Sequence, residues 1–309
     1  MSSVLGAFFT LVAVAVLGYV VGRAGVLRSD DELVLSRLAF YVATPALLFG
    51  TVARADLTAI FSPVLLTSLA GVLVIVLLSV TVSALIWHRD RAQSTIGALA
   101  ASYVNAGNLG VPVAVYVLGD GALVAPIVLF QLLVMAPVAF AVLDGYRQGS
   151  GRRVSLRTVL TRPVRNPLTV ASLLGLLVAA VGVDPPTLLM RPIELVGAAA
   201  VPVALIAYGL SLSAKTSNTR LGPGPDVVLA VTLKTVLQPA VAYAVGRWVL
   251  GLEGHALLAP TLLAALPTAQ NVYVYAVHYR TGQQLARSSV LLTTLLSIPT
   301  MTLITGLLA

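Results

Sequence analysis

Apolar residues come in long runs along this chain, and short polar stretches rich in Arg, Gly, Pro and Asp separate them. A helix needs about 20 mostly apolar residues to cross the hydrocarbon of a bilayer. On that measure ten runs qualify: 4–22, 33–53, 60–87, 95–119, 122–143, 166–183, 192–213, 226–250, 255–279 and 286–308. They take up about two thirds of the chain, which leaves no room within it for a separate soluble domain. The pattern predicts an all-α membrane protein of ten transmembrane helices. The first run, Val4 to Val21, has no basic stretch before it and no evident cleavage site, so it reads as a retained span and not a signal peptide.

The longest polar stretch, 144–165, divides the chain into two halves of five runs each, 1–143 and 166–309. Five is odd, so the second half enters the bilayer from the opposite side, and a duplication has to be inverted. Prolines recur at similar offsets in the two halves: Pro45 and Pro202, Pro112 and Pro267, Pro137 and Pro299. A 5+5 inverted repeat follows as the expected organisation.

The fourth and ninth runs carry turn-forming and amide residues at the expected bilayer centre. The fourth reads Asn105-Ala106-Gly107-Asn108-Leu109-Gly110-Val111-Pro112, and the ninth reads Leu266-Pro267-Thr268-Ala269-Gln270-Asn271. Proline removes a backbone donor, and glycine permits non-helical dihedrals. Backbone groups freed in this way are tolerated at membrane depth only inside protein or against a watery cavity. A matched pair of broken spans points to a transport site at the midplane, where half-helix N-termini favour an anion. The expected helix-break residues are Gly107, Gly110, Pro112 and Pro267. The expected substrate ligands are Asn105, Asn108, Gln270 and Asn271, whose amides can donate to a carboxylate without burying a charge. Tyr273 and Tyr275 are read as cavity-lining, and Tyr279 as part of an interfacial aromatic belt. Gln131 either faces the site or glues neighbouring helices together. Lys234 lies about 12 Å into its span, and we read its stem as snorkelling to the cytoplasmic face.

Composition narrows the classes. Of 309 residues, 58% are hydrophobic and 10% charged, and the mean hydropathy is +0.98. Soluble domains average about 25% charged residues, so a soluble enzyme, a disordered protein and a nucleic-acid-binding domain are excluded. The net charge of +8 belongs to the loops: those after odd-numbered runs hold fourteen of the nineteen Lys and Arg, and those after even-numbered runs hold only Arg54 and Arg191. The positive-inside rule then puts both termini outside the cytoplasmic membrane. There are no cysteines, no HExxH, no GxSxG and no Walker A motif. No enzyme, cofactor or metal site is expected. No carboxylate sits at the centre of a run, which argues against proton antiport on an intramembrane acid.

The two broken runs resemble the signatures of the auxin efflux carrier family, in its bacterial members and more distantly the plant PIN-type auxin exporters. The segment 105–112 looks like that family's Asn-x-Gly-Asn-x-Gly-x-Pro motif, and Pro267 to Ala276 looks like its ninth-span motif. Supporting similarity runs through Gly18-Tyr19, Ser36-Arg37-Leu38, Tyr41 to Leu48 and Asn166-Pro167-Leu168. The resemblance implies two crossing helices, a scaffold of spans 1, 2, 6 and 7, and a mobile core of spans 3–5 and 8–10. It implies an elevator-type carrier and homodimer for small organic carboxylates, of the auxin-like aromatic or malate and malonate type. It carries substrate contact onto Asn105 and a site role onto Gln131. The long regulatory loop of many plant members is absent, since only 144–165 joins the halves. Efflux is expected, because an inside-negative potential drives anions outward. A sodium-coupled symporter of the bile-acid type is the rival reading, and a channel or a non-transporting sensor belongs to other classes.

Overall fold

The computed structural model describes residues 2–28, 30–54, 62–147, 167–182, 185–213 and 224–308. Among these the elements are helical, apart from one isolated antiparallel bridge between Val104 and Thr268. The helices are α1 (Ser2–Arg23), α2 (Asp31–Ala53), α3 (Pro63–Ile86), α4 (Arg91–Ser102), α5 (Val111–Tyr116), α6 (Gly121–Tyr146), α7 (Pro167–Val181), α8 (Thr187–Ser213), α9 (Pro225–Val249), α10 (Gly254–Ala264), α11 (Asn271–Tyr279) and α12 (Gln283–Leu308). Six of them, α2, α3, α6, α8, α9 and α12, are long and apolar enough to cross a membrane by length and composition. The linker expected over 144–165 falls mostly outside the described residues, and α6 runs on to Tyr146.

Local chemistry sets several of these ends. Ser62 caps α3 by accepting from the Leu65 amide at 3.2 Å, ahead of Pro63 in the first turn. Asp90 caps α4 by accepting from the Gln93 amide at 2.8 Å. Such caps satisfy donors that have no partner within the helix.

Proline acts inside the helices as well. The π turns at 39–43, 106–110, 131–135 and 233–237 each end two residues before a proline, at Pro45, Pro112, Pro137 and Pro239. A proline ring clashes with the carbonyl four residues back, and that carbonyl lies inside the widened turn in all four cases.

The helices pack in two sets. In one, α1 lies along α8, and α2 packs on α7 and α8. In the other, α3, α4, α9, α10 and α12 pack against one another, with α6 on α3 and α4. Gly18, Gly22 and Gly209 let α1 and α8 approach closely. A Cβ on Gly209 would overlap the Ala15 carbonyl oxygen, and one on Gly18 would overlap the Ile206 carbonyl. Small residues at such a contact are how helices gain dispersion energy where lipid removes the hydrophobic drive. Aromatic edges join the sets: Tyr275 of α11 meets Phe140 of α6 at 4.8 Å and Phe40 of α2 at 6.3 Å between ring centroids.

Tyr279 is not part of an exposed belt. It is buried, and its hydroxyl donates to Asp144 Oδ1 at 2.9 Å, because a buried phenol needs an acceptor and this carboxylate is in reach.

Candidate functional site

The predicted spans 95–119 and 255–279 are each two helices with an extended gap between them. The first gap covers Tyr103-Val104-Asn105, and the second covers Pro267-Thr268-Ala269. The gaps cross and satisfy one another. The Asn105 amide donates to the Pro267 carbonyl at 2.8 Å, and the Ala269 amide donates to the Tyr103 carbonyl at 3.0 Å. Peptide groups opened in the two gaps therefore pair with each other as a two-residue ribbon. The first gap lies upstream of Pro112, because that proline widens the preceding turn and leaves residue 112 itself helical. Pro267 sits in its own gap, which it cannot enter as a hydrogen-bond donor.

Side chains fix the crossing. Thr268 Oγ1 donates to the Ala100 carbonyl at 2.6 Å, and the Thr268 amide donates to Thr293 Oγ1 of α12 at 3.0 Å. Gln131 Nε2 donates to the Val104 carbonyl at 2.8 Å. Gly110 faces Leu266 and Val124, each 3.2 Å from where its Cβ would stand, so it allows the close approach of α5 to the second gap. Gly107 has open space around it.

Asn105 and Gln270 come together. Asn105 Nδ2 donates to Gln270 Oε1 at 3.0 Å, and Asn105 Oδ1 accepts from the Asn108 amide at 3.4 Å, capping the helix that follows. Both side chains are buried, and Gln270 Nε2 has no partner among the described residues. They line a cavity of about 170 Å³ together with Val12, Val16, Leu205, Tyr208, Leu212 and Thr268, among others. No charged side chain lines it among the described residues. It lies between α1, α8, α12 and the crossing, where the helices after both gaps begin.

The other predicted ligands fall elsewhere. Asn271 starts α11 and Asn108 lies in the first turn after its gap, both half-buried and neither lining this cavity. Gln131 lines a much smaller void with Ser102 and Gln238. Tyr273 and Tyr275 do not line the cavity either. Tyr273 is buried, packs edge-on against Tyr208 at 5.5 Å, and gives its hydroxyl to Glu32 of α2. Tyr208, which sequence reasoning missed, takes the lining position and donates its hydroxyl to the Arg287 carbonyl at 2.9 Å.

Lys234 does not snorkel. It is fully buried, and Nζ donates to Gln238 Oε1 at 2.7 Å and to the Ala264 carbonyl at 2.9 Å. Acceptors nearby in the protein hold the ammonium, so the stem has no reason to reach for the membrane face. Gln238, four residues on along the same helix face, was the sequence signal for this.

The membrane transport protein family matches this chain twice in tandem, over residues 3–148 and 148–305. The chain is 28% identical over 308 residues to the "Putative malonate transporter" of Rhizobium meliloti, covering 98% of this chain and 95% of that protein. It is 26% identical to "Uncharacterized transporter YfdV" of Escherichia coli, over 93% of both. A "Probable auxin efflux carrier component 5b" of Oryza sativa is 30% identical over 148 residues, 47% of this chain and 40% of that protein.

Proposed function

We propose, on the premise that this chain belongs to the membrane transport protein family that includes the auxin efflux carriers, that it is a secondary carrier for a small organic carboxylate with an apolar body. The family relation makes it a membrane transporter. The observation that supports the substrate class is Gln270: a buried amide with a free donor, beside Asn105, in a mostly apolar cavity. The π turn that leads into α5 begins at Ala106 and α11 begins at Asn271, so two N-terminal half-dipoles of roughly +0.5 each add to the side-chain donors. A volume of about 170 Å³ is close to that of engineered cavities that accept one benzene ring. A relative carries malonate in its name, but the rest of the lining is mostly Val and Leu and offers a second carboxylate no cation. Stranding a charge there is far more costly than burying a ring. An apolar monocarboxylate therefore comes first.

The wider reading is a ten-span carrier with an inverted repeat, 1–143 and 166–309, joined by a cytoplasmic linker at 144–165. Both ends lie outside the cytoplasmic membrane, and the carrier works as a homodimer. The tandem family match and the charge asymmetry of the loops support it. The packing of α1, α2, α7 and α8 as one set and of α3, α4, α6, α9, α10 and α12 as another supports a scaffold and a core that moves as an elevator. Substrate contacts fall to Asn105 and Gln270 first, with Asn108 and Asn271 next to them and Gln131 and Tyr273 as supports. Export follows the membrane potential, worth about 2.3 kcal/mol per charge per 100 mV.

The test is charge movement by purified protein in liposomes on a solid-supported membrane. The panel runs from acetate and phenylacetate to malonate and malate, beside an Asn105→Ala variant. Saturable currents for phenylacetate that the variant loses support the reading. Currents that favour malonate would overturn the substrate class, and unaltered currents in the variant would overturn the site.

A further inference from the structure

The two gaps leave helix C-termini as well as N-termini at the crossing. The last residues of α4 and α10 are Ser102 and Ala264, and their carbonyls are at the negative ends of two half-helices. Such carbonyls at a broken helix are the usual ligands of a coupling cation in secondary transporters. Here they are already taken. Lys234 Nζ donates to the Ala264 carbonyl at 2.9 Å and to Gln238 Oε1 at 2.7 Å, while Gln238 Nε2 donates to the Ser102 carbonyl at 3.1 Å. One ammonium thus serves both C-termini, one directly and one through an amide. Its single positive charge matches two half-charges of roughly −0.5 each.

Two further observations fit. Lys234 is fully buried, and none of the ion pairs among the described residues involves it; they are Arg54–Glu194, Arg89–Asp226 and Arg247–Glu253. A lysine at this depth with no carboxylate beside it is held by backbone and amide dipoles alone, and intramembrane charges of this kind are functional by default. It also stands in the π turn 233–237, whose extra width seats the side chain against α10 and Gln238.

We propose that Lys234 is a built-in cation of the crossing, occupying by a covalent tether the place where a sodium-coupled carrier would bind its ion. The consequence is a carrier that needs no Na⁺. This deepens the functional reading above by assigning the ion requirement of the same crossing, and it excludes the symporter alternative.

The experiment is thermal unfolding of the detergent-solubilised full chain at fixed ionic strength, in choline, Na⁺ or n-propylammonium. The wild type is expected to unfold at the same temperature in all three. Lys234→Ala is expected to unfold earlier in choline and to recover by about 2–4 °C with n-propylammonium or Na⁺, and not with neutral 1-propanol. A wild type stabilised by Na⁺ would overturn the proposal, as would a folded Lys234→Ala that responds to no cation. If the variant does not fold, the wild-type arm decides alone. Liposome flux of phenylacetate gives the second readout: equal rates in Na⁺ and choline support the proposal, and a Na⁺ requirement defeats it. Absence of any carboxylate flux would refute the substrate assignment and leave the thermal result to decide this one.

Discussion

Asn105 and Gln270, 165 residues apart in the chain, meet through a 3.0 Å hydrogen bond from Nδ2 to Oε1. Each belongs to a different broken helix, and the bond leaves the Gln270 amide hydrogens unused. On the proposed function, a carboxylate arriving here gains donors already aimed and already desolvated. Truncating either residue is expected to weaken binding by about 1.5–3 kcal/mol, the usual size of a hydrogen bond to a charged group, or roughly 10- to 150-fold in Kd. The double variant Asn105→Ala/Gln270→Ala should lose less than the sum, since the two side chains share one bond. Titration of phenylacetate by calorimetry on the three variants measures this. Strict additivity would mean that the pair does not act as one site.

Gln131 offers the opposite case. Its amide goes to the Val104 carbonyl, which also accepts from the Ala106 amide at 2.8 Å, so Gln131→Leu removes one of two donors to a buried acceptor. A loss of about 0.5–1.5 kcal/mol of stability is expected, with affinity for phenylacetate kept. Paired thermal and binding measurements separate the roles: lost affinity at unchanged stability would make Gln131 a ligand.

The cavity wall should set selectivity. Leu205 lines it, and Leu205→Ala strips apolar surface from around the substrate body while widening the space. A mismatch of this size in an apolar pocket is worth about 1–3 kcal/mol, so phenylacetate should bind roughly tenfold more weakly or worse, and acetate should be unaffected. A bulkier naphthylacetate should gain relative to phenylacetate. Equal losses for acetate and phenylacetate would show that Leu205 acts through folding instead.

Packing of α1 on α8 leaves no space for a side chain at Gly209. Gly209→Val should destabilise by about 1–3 kcal/mol through overpacking. Gly50→Ala serves as the contrast: its Cβ would meet nothing within 4 Å in a helix, and loss of glycine's flexibility there stabilises by up to about 1 kcal/mol. Melting temperatures of both variants in one detergent decide the matter.

Much of this was legible in the chain. Apolar runs set the helix positions because hydrocarbon thickness fixes their length, and α2, α3, α6, α8, α9 and α12 lie on predicted runs. The gaps were legible too, because Asn, Gly and Pro at mid-span have few other uses. What hydropathy could not supply was partners distant in sequence. Lys234 read as a snorkelling residue because its acceptor at Ala264 lies 30 residues away in another span. Tyr273 read as a cavity residue because Glu32, which takes its hydroxyl, lies 241 residues earlier. Pro112 marked the first gap a turn too late, since its steric effect falls on the residues before it.

The ribbon between the gaps has a consequence for how the protein is made. Val104 has to wait for Thr268, 164 residues later in translation, before its neighbours find their backbone partners. At about 5–20 residues per second, the first half stands for roughly 10–30 s with the Tyr103 carbonyl and Asn105 amide without these partners. Until then those groups need another partner, from water or from protein. The crossing is then a late seam to close, and the ribosome sets its timing.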